Sequence, residues 1–140
     1  MDSGKLKYVF FDFPLESMHP YALKAAEAVQ CANDQGKLWE MHDRLFANQN
    51  MLTLAQLKAH AAAIGLDGSR FDTCLTSGEH ESDIRSDLAV GARIGIRGTP
   101  SFGIGFTDSQ DPNKVKVVQT LRGALPFTKF KSVIDGLMAQ

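Results

Sequence analysis

From Ala22 to Ile94 the apolar residues recur at three- and four-residue spacing, and after Gly95 they recur every second residue. This change of period constrains the chain most: it requires a succession of helices and then a hairpin, with one strand-like segment ahead of both. Ala22, Ala25, Ala26, Val29 and Ala32 predict a first helix to about Asn33, with Pro20 in its first turn. Leu38, Met41, Leu45 and Phe46 predict a second after the break at Gly36, with Trp39 beside the stripe. Thr53 and Gln56 have the spacing of a capping box, which satisfies two orphan backbone donors, and Leu57, Ala61 and Ile64 continue that helix to Gly65. Asp67 or Ser69 caps a fourth segment bearing Phe71, Cys74 and Leu75. Ser77-Gly78 then separates it from a fifth running through Ile84 and Leu88 toward Ile94.

Beyond Gly95, Phe102, Ile104 and Phe106 share a period of two, Asp108 to Asn113 are turn residues, and 114–121 form the returning strand. Pro126, Phe127, Phe130, Val133, Ile134 and Leu137 mark a terminal amphipathic helix. Near the start, residues 6–13 are rich in aromatic and β-favouring types and stop at Pro14, which has no amide hydrogen for a ladder. The unbroken apolar run Tyr8 to Phe11 suggests a strand covered on both faces. The order is therefore strand, helical insertion, two strands, helix: an α/β fold.

With 140 residues and 44% hydrophobic side chains, the chain is the size of one small domain able to bury a core. Fifteen basic and sixteen acidic residues give no broad positive field, so no nucleic-acid partner is expected. The apolar run near the start is far too short for a bilayer, so no membrane association is expected either. The first residues lack the apolar core of a signal peptide. The chain as written is thus expected in the cytoplasm, and outside it only if an upstream region carries an export signal. Cys31 and Cys74 stand 43 positions apart, which is no Cys-x-x-Cys motif and allows one internal disulfide at most.

The remaining candidate groups have structural explanations of equal or greater weight. His19, His42, His60 and His80 show no metal-binding spacing, and neither a metal nor a cofactor is expected. His42 beside the Met41 stripe is read as a packed histidine, and Glu16 and His19 as a local surface pair. Trp39, Met41 and Phe46 either line a peptide groove or, the stronger reading, form a helical seam. Residues 91–98 are glycine-rich but lack the ordered glycines and preceding strand of a dinucleotide loop.

Several strings together carry a resemblance: residues 11–15 (Phe-Asp-Phe-Pro-Leu), His19-Pro20, residues 25–28 (Ala-Ala-Glu-Ala), 35–46 from Gln-Gly-Lys-Leu-Trp to Arg-Leu-Phe, 95–102 (Gly-Ile-Arg-Gly-Thr-Pro-Ser-Phe) and 122–127 (Arg-Gly-Ala-Leu-Pro-Phe). In these strings and in element order the chain resembles the later part of a DsbA-like thioredoxin-fold thiol:disulfide oxidoreductase. The resemblance implies one domain over 1–140, with 1–15 and 95–140 as the thioredoxin-fold part and 16–94 as an inserted all-helical subdomain. It also implies that Thr99-Pro100 faces the redox centre and binds substrate, with the proline cis. Only roughly 5–6% of X-Pro bonds in folded proteins are cis, so that expectation comes from the resemblance alone. Cys31 and Cys74 correspond to cysteines that staple the helical subdomain in related proteins; two buried free thiols are the alternative.

The departure from the family is severe. Its members carry a strand and a Cys-x-x-Cys helix ahead of the segment matching 6–13, and this chain has neither. Exchange needs a thiolate and a nearby resolving thiol, so no catalytic residue is assigned and the chain in isolation is expected to be redox-inactive. The absent strand is central in the family's sheet. Its loss leaves open edges at 6–13 and 101–106, from which a partial or rearranged sheet and a homodimer are expected. The alternatives are a noncatalytic protein that binds an extended peptide or thiol-containing protein or that homo-oligomerises, and a glutathione-dependent isomerase or transferase relative.

Overall fold

A computed structural model describes residues 4–139; residues 1–3, which open the chain, and Gln140 lie outside the described residues. Two compact units meet in sequence between Ile94 and Gly95. The first holds α1 (Ala22–Asn33), α2 (Leu38–Ala47), α3 (Leu54–Ala63), α4 (Gly68–Ser77) and α5 (Glu81–Arg93). The second holds β1 (Ser101–Thr107), β2 (Val115–Arg122) and α6 (Phe127–Met138). Mixed helices with a small two-stranded sheet are consistent with an α/β fold.

The five helices form because their apolar stripes meet. Small residues on α1 let it approach its neighbours closely: Ala28, Val29, Cys31 and Ala32 are buried and join Met41 and Leu45 of α2, Leu57 and Ala61 of α3, and Phe71, Cys74 and Leu75 of α4 in one core. Phe71, Met41, Leu57 and Leu75 are fully enclosed, each contributing about 1.5–3 kcal/mol relative to an exposed side chain. The termini are fixed as the residue types require. The Thr53–Gln56 capping box is formed, with the Thr53 amide donating to Gln56 Oε1 at 3.0 Å. Asp67 rather than Ser69 caps α4, its Oδ1 accepting from the Arg70 amide at 2.9 Å. Gly78 ends α4 in the left-handed region at φ 68°, which a side chain would resist. Pro20 and Pro126 fall just outside the first turns expected of them; α1 starts at Ala22, and Pro126 is the N-cap of α6.

Two polar side chains are buried on the helices of this unit. His60, 3% exposed, accepts from Arg44 Nε at Nδ1 (3.0 Å) and through Nε2 meets the Met51 carbonyl at 3.0 Å, tying α2 to α3. Glu27, 1% exposed, has Lys24 Nζ 2.6 Å from its Oε2.

Residues 6–13 correct one expectation. They form no helix and no ladder with any described strand. Strand-favouring side chains need a hydrogen-bonding neighbour to make a strand; here β1 and β2 pair with each other, and the segment instead lays its side chains along the helices of its own unit. Tyr8 meets the Trp39 ring at 5.6 Å and Phe10 the His42 ring edge-on at 4.9 Å. It is also not covered on both faces, since Tyr8, Val9 and Phe11 are each close to half exposed or more.

In the second unit β1 and β2 pair antiparallel from Ser101 opposite Arg122 to Thr107 opposite Val115, with an irregularity at Ile104/Gly105. There Gly105 passes so close to Lys116 that a Cβ would fall 2.0 Å from the Lys116 carbonyl oxygen. The bulge also breaks the expected period of two: Phe102 and Ile104 are partly covered, whereas Phe106 is 46% exposed. Phe102 packs edge-on against Phe130 of α6, ring centroids 4.7 Å apart. Asp108 closes the turn, its Oδ1 accepting from the Gln110 amide at 2.7 Å.

Candidate functional site

The loop entering β1 is held by short backbone ties. The Gly123 amide donates to the Pro100 carbonyl at 2.8 Å, and Ser101 Oγ donates to the Gly98 carbonyl at 2.7 Å. The Thr99–Pro100 bond between these anchors is cis. A cavity of about 230 Å³ opens beside the loop, lined by Thr99, Pro100 and Ser101 and flanked by Arg97 and Arg122. Arg97 and Arg122 add two cationic, donor-rich side chains to the lining of this cavity. No thiol lies among the residues that line it.

The chain's two sulfurs are elsewhere. Cys31 of α1 and Cys74 of α4 form a disulfide, Cα atoms 5.8 Å apart, at 1% and 7% exposure. A pair joined to itself and buried offers no nucleophilic thiolate to a protein substrate.

A second concave surface lies on the helical unit. Leu6, Tyr8, Trp39, His42 and Asp43 line a groove of about 580 Å³. His42 sits among rings, 4.9 Å from Phe10, 5.3 Å from Trp39 and 4.6 Å from Phe46, with Nδ1 2.9 Å from Asp43 Oδ1. The sequence reading had grouped Trp39, Met41 and Phe46, but the helix separates them. Met41 is fully buried, while Trp39 and Phe46 stay 45% and 60% exposed on the side of His42.

Beneath residues 6–13 lies a polar cluster that periodicity gives no sign of. Asp12, 5% exposed, accepts from Gln30 Nε2 at 2.6 Å, and its own amide donates to Asp87 Oδ2 at 3.2 Å. Burial pushes the Asp12 carboxyl above the usual carboxylate range and the Asp87 charge adds to this, against the lowering effect of the Gln30 hydrogen bond. Asp87 is raised as well, chiefly by burial. The only sequence signal was an aspartate interrupting an aromatic run. Glu16 does not pair with His19; it meets Arg85 Nη1 at 3.0 Å, and Arg85 also binds Glu81.

Side chains able to ligate a metal converge at the disulfide. Cys31, Cys74 and His80 form one group, and Asp34, Cys74, Glu79 and His80 an overlapping one. His19, His42 and His60 belong to neither.

Comparison with known proteins adds a family to this geometry. The profile of a family described as Thioredoxin matches residues 1–121. A protein named Na(+)/H(+) antiporter NhaA 3, from Salinispora tropica, is 34% identical over 118 residues, 84% of this chain and 18% of its own length. One named Na(+)/H(+) antiporter NhaA 1, from Salinispora arenicola, is 40% identical over 101 residues, 72% of this chain and 16% of its own. A protein of the latter name from Mycobacterium sp. (strain KMS) is 38% identical over 101 residues, 69% of this chain and 16% of its own. The chain thus spans less than a fifth of the length of these relatives. No solved structure matches it at a significant level.

Proposed function

The chain belongs to the thioredoxin family, and from that premise we propose that it is the substrate-facing part of a DsbA-like thiol:disulfide oxidoreductase, redox-inactive on its own. In this reading Thr99 and Pro100 present the backbone to which an extended, cysteine-containing peptide pairs, with Arg97 and Arg122 at its flanks. Residues 16–94 are a helical insertion in the thioredoxin fold, tied by Cys31–Cys74. The observation that carries the reading is the open, thiol-free cavity at the Thr99-Pro100 loop in a chain whose two cysteines are buried against each other. Exchange chemistry requires a low-pKa accessible thiolate and a resolving partner, and no residue of the 140 supplies that pair.

Insulin reduction tests inactivity, and titration with an extended cysteine-containing peptide, followed by amide chemical shifts, tests binding. The expected result is no acceleration over dithiothreitol alone, with shifts confined to residues near 97–101 and 122–123. Turnover by the purified chain, or shifts confined to the Trp39 groove, would overturn it.

A noncatalytic, self-associating form is the second reading, favoured by residues 6–13. Their backbone forms no described ladder, while Leu6, Tyr8, Val9 and Phe11 are 41%, 45%, 45% and 62% exposed, so strand pairing with a second copy would satisfy both features. Sedimentation at micromolar concentration decides it: a dimer is expected, and a monodisperse monomer removes the reading. The relatives' names support a third statement only, that a domain of this kind accompanies antiporters in longer chains. No described helix here is long and apolar enough to cross a membrane, and ion transport is not proposed for these residues.

A further inference from the structure

The disulfide is surrounded by groups a disulfide does not need. Asp34, the C-cap of α1, follows Cys31 by one helical turn, and Glu79 and His80 occupy the junction of α4 and α5 just beyond Cys74. The Sγ atoms of Cys31 and Cys74 and a His80 ring nitrogen lie within 4.8 Å of one another. His80 Nε2 is 2.6 Å from Asp34 Oδ2, and Cys74 Sγ is 3.7 Å from that same oxygen. Cys31, Cys74 and His80 thus form one close group and Asp34, Cys74, Glu79 and His80 a second that shares Cys74 and His80 with it, the sulfurs buried and the His80–Asp34 side partly open to solvent.

We propose that Cys31, Cys74, His80 and Asp34 form a zinc(II) site when the disulfide is reduced, so that the same two cysteines fasten α1 to α4 by a covalent bond under oxidising conditions and by a metal under reducing ones. A dithiol reductant transfers two electrons and two protons to the Cys31–Cys74 bond and itself becomes a disulfide; the S–S bond breaks and two thiols form. Zinc then displaces one proton from each thiol, and both protons go to solvent. Around Cys74 and His80, which both close groups share, the geometry is near what zinc requires, and Asp34 and Cys31 must draw together on the ion. With Zn–S near 2.3 Å and Zn–N and Zn–O near 2.0–2.1 Å in a tetrahedron, the sulfurs stand about 3.8 Å apart, a sulfur and an oxygen about 3.5 Å, and the nitrogen and oxygen about 3.3 Å. The Cys74–Asp34 separation already matches. The His80–Asp34 contact opens by roughly 0.7 Å, a motion available to two partly exposed side chains. The sulfurs separate once no bond joins them. Paired thiolates with an imidazole favour zinc over magnesium or calcium, which prefer oxygen. The spacing gave no hint of such a site, because its ligands are contributed by α1, α4 and the start of α5 rather than by one local motif.

Cobalt(II), a spectroscopic substitute for zinc, is the probe. The full chain is reduced with an excess of a phosphine, which is then removed without air, and cobalt is titrated into the reduced and the oxidised protein. One equivalent is expected to give the visible bands of tetrahedral cobalt with a near-ultraviolet thiolate band in the reduced protein only. Zinc should bleach both. His80→Ala leaves the oxidised fold intact and should weaken binding by at least about tenfold, the lower limit seen even for residues that merely support a ligand. Helical circular dichroism is recorded in parallel. A reduced chain that loses helix and regains it with zinc supports the proposal; one that stays unfolded with zinc overturns it. So do octahedral cobalt bands, equal binding by the oxidised chain, or unchanged affinity in His80→Ala.

Discussion

Replacing both cysteines, Cys31→Ala with Cys74→Ala, asks how much of the helical unit's stability rests on one covalent tie. The bond closes a loop of 43 residues' separation. The chain-entropy relation gives a loss of about 13 cal/mol/K for the unfolded ensemble, or about 4 kcal/mol at 25 °C. Both cysteines are buried, so shortening them to alanine removes packed atoms and adds about 1 kcal/mol, whereas residual order in the unfolded chain subtracts a similar amount. The net expectation is a loss of about 3–5 kcal/mol, a large share of the 5–15 kcal/mol typical of a folded domain. Urea unfolding with a chelator present, so that no metal substitutes for the bond, measures it. With an m-value near 1.5 kcal/mol/M the midpoint falls by about 2–3 M. A loss below about 1 kcal/mol, or two thiols titrating in native unreduced protein, would refute the reasoning, since the tie would then be absent in solution.

The buried carboxyl gives a pH signature. Asp12 has a raised pKa in the folded state, so the stability it contributes is fully present below the unfolded value of 3.8 and is lost as pH rises through the folded one. Asp12→Asn, which retains an acceptor for Gln30, is expected to raise stability at neutral pH and flatten the decline above pH 4; unfolding midpoints across that range check it. In the hairpin, Gly105→Ala places a methyl against the Lys116 carbonyl and should cost about 1–3 kcal/mol, visible as faster amide exchange along β1 and β2 with α1 to α4 unchanged. Gln56→Ala removes the acceptor for the Thr53 amide and should lower thermal stability by about 1 kcal/mol.

Much of the helical unit was legible because its physics is local. The alanine-rich face of α1, the Leu38–Met41–Leu45 stripe and the Thr53–Gln56 box each declare a helix through contacts three or four residues apart. The hairpin was equally readable until Gly105, where one irregularity of register moves Phe106 off the shared face. What spacing does not encode is which distant segment a side chain meets. Residues 6–13 have the composition of a strand, but strand formation depends on a neighbour, and the segment packs on helices instead. Asp12 with Gln30 and Asp87, and His80 with Asp34, likewise arise from elements up to 75 residues apart. Thr99-Pro100 was singled out through resemblance; Arg97 lines the cavity from the same loop, while Arg122 joins it only because β2 returns beside β1.

Leu121 is the one buried residue among the described residues of 95–139, and a two-stranded hairpin with so little interior is only marginally stable alone. The bonded helices of residues 22–93 have an enclosed core and a cross-link; the hairpin has neither. Heat or a protease should therefore reach the strands first and leave a resistant helical fragment behind. The Thr99-Pro100 loop thus sits on the softer and shorter part of the chain, where a bound peptide, if the proposed role holds, would firm up the strands that carry it.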